Sequence, residues 1–247
     1  MLQDAINELG KLTNYKTSVY RIVETQEYAA TMNLVDDLEE QELLEQLLDE
    51  VKPPYKKGTQ KLHYLISTPF RYPPLKYGSR FGDRTMPSYF YGSEHVETCL
   101  AECAFYRFVF LSHMSEPYEK AINTIHTSFN VKASSKNCAD LTTIKSHKIK
   151  AVLESKDNYQ FTQKLGKTLV EDLGADLIRY VSARKPGYFN IAISEPKVIT
   201  SKKTENSVNW FCMTTTHKIS FNTQGRKPLF FHIDDFTVNG LLPSVAS

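Results

Sequence analysis

The stretch from residue 77 to residue 107 concentrates the groups that could do chemistry. It reads YGSRFGDRTMPSYFYGSEHVETCLAECAFYR. A turn-rich segment with Arg80 and Arg84 precedes three consecutive aromatic residues, and a carboxylate, Glu102, follows in an almost apolar helical pattern. Arginine suits phosphate because its planar guanidinium donates two parallel, charge-assisted hydrogen bonds. Together, these residue types predict a site for a phosphate-bearing ligand with a flat base.

Each of these residues also has a purely structural interpretation. Arg80 could be an ordinary surface arginine, and Tyr91 could be a core tyrosine with a bonded hydroxyl. Glu102 interrupts the run CLAECAFYRF, where burial would shift its proton affinity. An ion pair between Glu102 and Arg107 explains the same pattern equally well. The sequence leaves these alternatives open.

Two further candidates come from distant strands. Arg21 lies in the predicted strand SVYRIVE on the same face as two valines. A charge in an apolar strand needs either a ligand or a salt-bridge partner. Ser182, in YVSARKPG at the end of another predicted strand, could bond a ligand or the backbone of the following turn. Both interpretations stand for each residue.

Composition argues against several classes of function. The chain has 247 residues and a formal net charge of only +2. The electrostatic attraction that this charge provides is too weak to bind nucleic acid or a membrane surface. No apolar run approaches the ~20 residues that span a bilayer, and the N-terminus lacks the pattern of a secretory signal. The four cysteines lack the paired spacing of a zinc site. We therefore expect reduced thiols, no metal, no direct nucleic-acid or membrane partner, and a cytoplasmic location.

Hydrophobic periodicity predicts helices and strands that do not alternate strictly. The predicted helices are 2–13, 34–51, 93–113 and 158–173, and the predicted strands are 18–24, 61–66, 89–92, 121–131, 177–184, 188–193, 217–221 and 228–233. The turn KPG indicates a hairpin of strands 177–184 and 188–193, and Ser93 is the expected cap of the helix that follows it. These elements predict one α+β domain with a mixed or antiparallel sheet. Residues 1–55 would be an N-terminal helical elaboration that includes the first strand, and residues 56–247 the core with a C-terminal extension.

The predicted helix at 34–51 carries eight acidic residues opposite a stripe of leucines. Such a helix is usually a solvated face packed on a core. A docking surface for a basic partner is the sharper alternative.

The order of these motifs resembles the RES-domain family, which is named after its Arg, Glu and Ser residues. The chain shows YRI, then GSRFG, then YFYGSE followed by TCLAE, and finally YVSAR. The resemblance extends over about residues 18–195 and is densest at 77–107. Phe81-Gly82 stands where the family often has Trp-Asn, and the chain is longer than compact members.

This resemblance implies a fold similar to that of ADP-ribosyltransferases and an enzyme that uses NAD as its substrate, with no separate cofactor. Carried over by motif, it assigns NAD binding to Arg21, Arg80, Tyr91 and Ser182. It assigns catalysis to Glu102 together with Arg80, Tyr91 and Ser182. The implied protein is a toxin that depletes NAD by cleaving the nicotinamide–ribose bond, with water or inorganic phosphate as acceptor. An Xre-like antitoxin is its implied partner.

The chemistry of that bond agrees with these residue types. Nicotinamide is already a good leaving group, so cleavage chiefly needs a fixed carboxylate, Glu102, to stabilise an oxocarbenium-like ribose. Arg21 and Arg80 would clamp the pyrophosphate, and Tyr91 would stack on or beside the nicotinamide. Ser182 would either bond the nicotinamide end or orient the carboxylate. Two alternatives are transfer of ADP-ribose to a specific protein and a non-catalytic binding module. The sequence is also compatible with a homo-oligomer.

Overall fold

A single mixed sheet organises the protein in the computed structural model, which describes residues 1–25, 35–74, 76–116 and 120–243. In these ranges the helices are α1 (Leu2–Leu9), α2 (Leu38–Glu50), α3 (Tyr64–Arg71), α4 (Val96–Ser112), α5 (His147–Leu153) and α6 (Gln160–Lys167). The strands are β1 (Thr13–Glu24), β2 (Phe90–Ser93), β3 (Ile122–Asp140), β4 (Leu177–Val181), β5 (Phe189–Ile193), β6 (Glu205–Thr214), β7 (Lys218–Asn222) and β8 (Leu229–His232).

The strands follow the order β1-β2-β5-β4-β3-β6-β7-β8. β1 also pairs along most of β3, so the first five strands in this order close into a ring. β3 and β4 are parallel, and the other pairs are antiparallel. The expected α+β class with one mixed sheet is confirmed, and so is the hairpin of β4 and β5.

Three hydrophobic clusters hold the helices against this sheet in the described ranges. The first joins α1, α5 and α6 to β3, β4 and β5. The second joins α3 to β1, β2, β3, β4 and β5. The third packs α4 on one face of β6 and β7 and contains Trp210, Phe221 and Phe236. Because α4 is buried along much of its length, a polar residue within it must find partners inside the protein.

Two local predictions were wrong. Residues 61–66 do not form a strand, since α3 begins at Tyr64 and buries Ile66 and Phe70. A six-residue apolar run does not distinguish a strand from a short buried helix. Ser93 does not cap α4, because it is the last residue of β2 and α4 starts after His95.

Other elements differ in length or were missed. β3 is 19 residues long and continues well beyond the predicted strand at 121–131. α5 and β6 were not predicted at all. The helix predicted at 158–173 consists of α6 and a π-helical turn, Thr168–Asp172, and Gly174 ends it with a φ of 74°. The helix predicted from residue 34 is seen as α2, and its first predicted residue lies outside the described ranges.

The first strand is an integral part of the sheet, because β1 pairs with both β2 and β3. The division at residue 55 stays a prediction. Among the helices of the described ranges, none has the length and apolar character required to cross a bilayer.

Candidate active site

A cavity of about 580 Å³ opens between β1, the segment before β2, and α4. Four of the five site residues predicted from the sequence line it: Arg21, Arg80, Tyr91 and Glu102. The fifth, Ser182, is buried behind this lining. Arg84 is exposed and is not part of the lining. Residues that are up to 81 positions apart in the chain therefore line one cavity.

Glu102 projects from the middle of α4 and is held through one oxygen. Its Oε1 accepts hydrogen bonds from Ser182 Oγ at 2.8 Å and from Asn190 Nδ2 at 2.7 Å. Its Oε2 accepts no hydrogen bond from any residue that the structure describes. Both donors are neutral, so they fix the direction of the carboxylate without cancelling its charge. The free oxygen is available to a ligand in the cavity.

The alternative ion pair of Glu102 with Arg107 does not form. Arg107 Nε donates to Thr214 Oγ1 at 2.7 Å, and its Nη1 lies 3.3 Å from Glu24 Oε2. Burial, together with the charge of Arg107, lowers the pKa of His126 to about 4. His126, which also lines the cavity, is therefore neutral at neutral pH.

Ser182 connects the turn after β4 to the carboxylate. Its Oγ accepts hydrogen bonds from the backbone N–H groups of Arg184 at 3.2 Å and Lys185 at 3.1 Å. With its lone pairs occupied, the hydroxyl directs its proton to Glu102. The geometry favours the orienting role of Ser182 over direct contact with a ligand.

Asn190 is a site residue that the sequence analysis missed. It lies on β5 directly opposite Ser93 of β2. Its Oδ1 accepts a hydrogen bond from Ser93 Oγ at 2.5 Å while its Nδ2 donates to Glu102. The bond from Ser93 fixes the orientation of the amide, so that the NH₂ group points to the carboxylate. The available signal was an amide within the otherwise apolar strand YFNIAI.

Arg21 brings an unneutralised cation to the cavity. Its Nη1 donates to the backbone oxygen of Tyr91 at 2.7 Å, and its guanidinium lies 5.1 Å from the centre of the Phe90 ring. Its Nε is buried without a partner, and no carboxylate in the described ranges forms an ion pair with it. Burial lowers the pKa of Arg21 to about 10, which leaves it charged at neutral pH. The salt-bridge alternative is thus not seen, and a buried cation of this kind favours an anionic ligand.

Arg80 is the second cation and is fixed by backbone contacts. Its Nη1 donates to the carbonyl oxygens of Leu153 and Ser155, both at 3.1 Å, and its guanidinium lies 4.3 Å from the centre of the Tyr159 ring. Its other N–H groups have no hydrogen-bond partner among the described residues. Burial alone would lower the pKa of Arg80, but nearby acidic groups, Tyr159 and Glu102 among them, raise it above its ordinary value. The guanidinium stays charged, with donors left over.

A glycine on α6 allows the Arg80 segment to pack this closely. A Cβ atom at Gly166 would stand 2.0 Å from the backbone oxygen of Phe81. Since real Cβ atoms do not approach backbone so closely, any larger residue at 166 would displace the loop that carries Arg80.

Tyr91 fixes the same loop from the other side. Its hydroxyl lies 2.8 Å from Ser79 Oγ and accepts from the backbone N–H of Phe81 at 3.1 Å. Burial raises the pKa of Tyr91 to about 12, so the phenol is neutral. The geometry gives Tyr91 a clear part in positioning Arg80, and its stacking on a base stays a prediction.

Tyr89, one of the three consecutive aromatic residues noted in the sequence, also lines the cavity. Three other aromatic rings in the lining were missed by the sequence analysis: Tyr106, Tyr159 and Tyr180. Tyr106 stands one helical turn after Glu102 on α4, and its side chain is 48% exposed. The spacing of four residues was the signal, because residues i and i+4 share one face of a helix.

The thiols and potential metal ligands add no further chemistry to this site. Cys99 Sγ donates to the backbone oxygen of Tyr20 at 3.0 Å, and burial raises the pKa of Cys99 to about 12. Within the described ranges, the acidic, histidine and cysteine side chains form no group of three that could hold a metal ion.

Comparison with known proteins gives the class to which this fold and site belong. The family model of the RES domain matches residues 54–211, well over half of the chain. The chain belongs to the RES-domain family, which confirms the resemblance seen in its motifs. Glu102, Arg80, Tyr91 and Ser182 fall inside the matched range, whereas Arg21 lies before it.

One solved structure with a similar fold is the crystal structure of the M. tuberculosis MbcT–MbcA toxin–antitoxin complex. The match covers 87% of this chain and 92% of that chain, with 11% sequence identity and a TM-score of 0.46. A search of curated proteins found no match.

Proposed function

We propose that this protein is a toxin that degrades NAD by cleaving the nicotinamide–ribose bond, with water or inorganic phosphate as the acceptor. One observation carries the proposal. Glu102 is held through one oxygen by Ser182 and Asn190, and its other oxygen is free at a cavity that Arg21 and Arg80 also line. Family membership supports NAD as the substrate.

The two arginines provide the charge that a dinucleotide needs. The pyrophosphate of NAD carries two negative charges, and Arg21 and Arg80 both have N–H groups without partners in the described ranges. Charge-assisted hydrogen bonds to phosphate oxygens would satisfy these donors. A clamp at the pyrophosphate would also hold the attached ribose in a fixed position, which lowers the entropic part of the barrier.

The single carboxylate suits the bond that we propose is broken. Nicotinamide departs as a neutral pyridine, so the leaving group needs no proton. Positive charge develops on the ribose as the bond lengthens, and the free Oε2 of Glu102 would stabilise it, directly or through a ribose hydroxyl. Neutral donors on Oε1 preserve the negative charge that this task requires.

The size and the walls of the cavity also fit a dinucleotide. Ligand sites for cofactor-sized molecules typically measure about 300 to 1,000 Å³, and this cavity falls within that range. Its lining offers several tyrosine rings for a flat base. Tyr106 is the ring that we assign beside the nicotinamide or its ribose, because it shares a helix face with Glu102 and is half exposed. Tyr91 would then both hold the Arg80 loop and form the opposite wall.

The experiment is an incubation of the purified protein with NAD, with and without inorganic phosphate, followed by chromatography of the products. Attack by water on the ribose carbon gives nicotinamide and ADP-ribose, whereas attack by phosphate gives nicotinamide and ADP-ribose phosphorylated at that carbon. The Glu102→Gln variant is the matched control, since its amide keeps the shape and an acceptor for Ser182. A protein that binds NAD but releases no nicotinamide would overturn the proposal.

The same reaction separates the proposed activity from transfer of ADP-ribose to a protein. With NAD labelled in its adenylate half, covalently labelled protein would indicate a transferase, and label only in small products would indicate degradation. We expect small products alone.

We also propose an Xre-like antitoxin partner that covers the cavity, which rests on family membership alone. The check is inhibition of NAD loss by a candidate antitoxin at equimolar concentration. An antitoxin that binds the protein and leaves NAD turnover unchanged would contradict a role in covering the cavity.

A further inference from the structure

The acidic helix α2 is attached to the protein but buries none of its own residues. Four apolar side chains form what we call the helix stripe: Leu43, Leu47, Leu48 and Val51, which are 57%, 51%, 37% and 79% exposed. Asp49 makes an ion pair with Arg71 of α3 at 3.3 Å. Because helical residues advance by about 100° each, Asp49 lies on the opposite side of α2 from the stripe. The ion pair therefore attaches α2 on the side opposite the stripe, whose four side chains stay exposed.

The charge of this helix is opposite to that of the rest of the chain. Residues 35–51 contain eight acidic residues and no Lys, Arg or His, while the whole chain has a net charge of +2. The remainder of the chain consequently carries a net charge of +10 at neutral pH. A surface that combines apolar and acidic groups in this way fits a partner surface that is apolar and basic.

An apolar surface with a basic neighbour is present on the sheet. It lies on the face of β3, β6, β7 and β8 that α4 does not cover. We call it the sheet patch, and it consists of Ile125, Phe211, Met213 and Phe230, which are 40%, 49%, 39% and 52% exposed. Ile125 is directly opposite Phe211, and Ser220 is directly opposite both Met213 and Phe230. Since cross-strand partners share a face, the four side chains form one continuous patch. Ser220 lies beneath it with a buried hydroxyl that has no partner.

No acidic residue occupies a described strand position on the same face of the sheet as the sheet patch. The positions that share its face are Asn123, Thr127, Asn209, Lys218, Asn222 and His232, besides the patch and Ser220. Lys218 Nζ lies 4.1 Å from the centre of the Phe230 ring. Four neighbouring large apolar side chains on this exposed face indicate an interaction site, because the solvated face of an antiparallel sheet normally carries polar residues.

We propose that α2 of one copy of this chain docks on the sheet patch of a second copy. The two surfaces are chemically complementary, since one is apolar with acidic neighbours and the other is apolar with a basic neighbour and no acidic residue at the described strand positions on its face. The helix and the sheet face are also similar in length. A helix of 13 residues is about 20 Å long, and four adjacent strands span about 14 Å between the outer strand axes.

A second copy is the occupant because each chain carries both halves of the contact. If two copies exchange their helices about a two-fold axis, both helix stripes and both sheet patches are covered and the assembly closes as a dimer. Salt should weaken the dimer, because the contact joins opposite charges that are partly exposed.

The test measures molecular mass by light scattering during size exclusion over about 1 to 100 μM protein. A helix variant, Leu43→Ser with Leu47→Ser, and a patch variant, Phe211→Ser with Phe230→Ser, should each raise the dimer dissociation constant at least tenfold. In an equimolar mixture of the two variants, the intact helix of one meets the intact patch of the other. One of the two contacts is then restored, so the mixture should dimerise more strongly than either variant alone and more weakly than the wild type. Tyr64→Ser with Phe110→Ser, two residues that are 63% and 65% exposed outside both surfaces, is the matched control and should dimerise normally.

Circular dichroism confirms that each variant is folded before its mass is interpreted. A wild-type protein that stays monomeric at every concentration would overturn the proposal. So would a dimer that survives either double substitution, or a mixture of the two variants that dimerises no more strongly than either variant alone.

Discussion

Glu94 and Glu102 are eight positions apart in the chain, yet their carboxylates have opposite hydrogen-bonding environments. Both are largely shielded carboxylates that accept hydrogen bonds from other elements. Glu94 receives two bonds from a cation, as Arg179 Nε and Nη2 donate to its two oxygens at 2.8 and 3.1 Å. Glu102 receives two bonds from neutral groups, both on one oxygen. Both oxygens of Glu94 thus accept hydrogen bonds from a cation, whereas Glu102 has neutral donors on one oxygen and no donor among the described residues on the other.

The side chains around Glu94 occupy one another's hydrogen-bonding groups, so few donors or acceptors are left for a ligand. Arg179 also donates to Asp140 and Thr142, and its guanidinium lies 4.0 Å from the centre of the Phe189 ring. The hydroxyl of Tyr15 donates to Glu94 as well. Burial alone would raise the pKa of Glu94, but the hydrogen bonds from Arg179 and Tyr15 hold it below its ordinary value. This network ties β1, β3 and β4 together and is structural.

The two carboxylates differ in unused hydrogen-bonding capacity more than in burial or residue type, and on this difference we base the catalytic role that we propose for Glu102. The same criterion separates the arginines. Arg179 has its donors occupied by carboxylates, whereas Arg21 and Arg80 keep donors that no described residue accepts. Each prediction below tests that distinction.

Glu102→Gln should have the largest effect on turnover. We expect NAD cleavage to fall by about 10³-fold, or roughly 4 kcal/mol of transition-state stabilisation, because the developing positive charge loses its counter-charge. The unfolding free energy should change by less than about 1 kcal/mol, since the amide oxygen still accepts from Ser182 and Asn190. Chromatographic assay of nicotinamide and chemical denaturation measure the two quantities. NAD loss at the wild-type rate would remove Glu102 from the mechanism.

Glu94→Gln should show the reverse pattern. We expect a loss of about 2 kcal/mol in unfolding free energy, because Arg179 keeps only part of its charge-assisted hydrogen bonding. Turnover per folded molecule should stay within about threefold of the wild type. Urea denaturation and the same nicotinamide assay decide the matter. A variant with normal stability and lost turnover would reverse the assignments of Glu94 and Glu102.

Ser182→Ala and Asn190→Ala should have intermediate effects on turnover. Each substitution removes one hydrogen bond that orients the carboxylate of Glu102. We therefore expect kcat to fall about 10-fold to 100-fold with a much smaller change in KM. The double variant should be no worse than Glu102→Gln, because both residues act through the same carboxylate. Steady-state kinetics on the three variants measure this. A rise in KM alone after Ser182→Ala would instead favour direct contact of the serine with NAD.

Acid pH should produce the smallest effect, confined to the Glu94 network. The folded-state pKa of Glu94 lies below its unfolded value of about 4.3. Its stabilisation is therefore complete above about pH 5 and is lost as the pH falls through the folded pKa. The stability difference between wild type and Glu94→Gln should shrink by about 1 kcal/mol between pH 5 and pH 3. Denaturation curves at the two pH values measure it, and a difference that is constant or grows on acidification would contradict the role given to Arg179.

Sequence patterns predicted much of the fold, and the failures have identifiable causes. The β4–β5 hairpin was predictable because two short apolar runs flank a turn signal. The strand predicted at 61–66 was wrong because tertiary packing of Ile66 and Phe70 makes this apolar run a helix. β6 was missed since its exposed positions include Phe211 and Met213, so that the expected alternation of apolar and polar residues is absent.

The sequence indicated which residues belong to the candidate site better than it indicated how they are arranged in space. Arg21, Arg80, Tyr91 and Glu102 were identified by motif, and all four line the cavity. Asn190 and Tyr106 have no motif of their own, and their importance follows from positions next to Glu102 that only folding creates.

The sequence by itself determined the family, the α+β class and the set of charged and aromatic groups, because these depend on residue types and their local spacing. Only the tertiary structure decided which of these groups are saturated and which are free. That distinction depends on hydrogen bonds between residues that are far apart in the chain, such as Glu102 and Asn190, which are 88 positions apart. Local sequence patterns carry no information on such contacts, since the closing of β1, β2, β5, β4 and β3 into a ring brings the partners together.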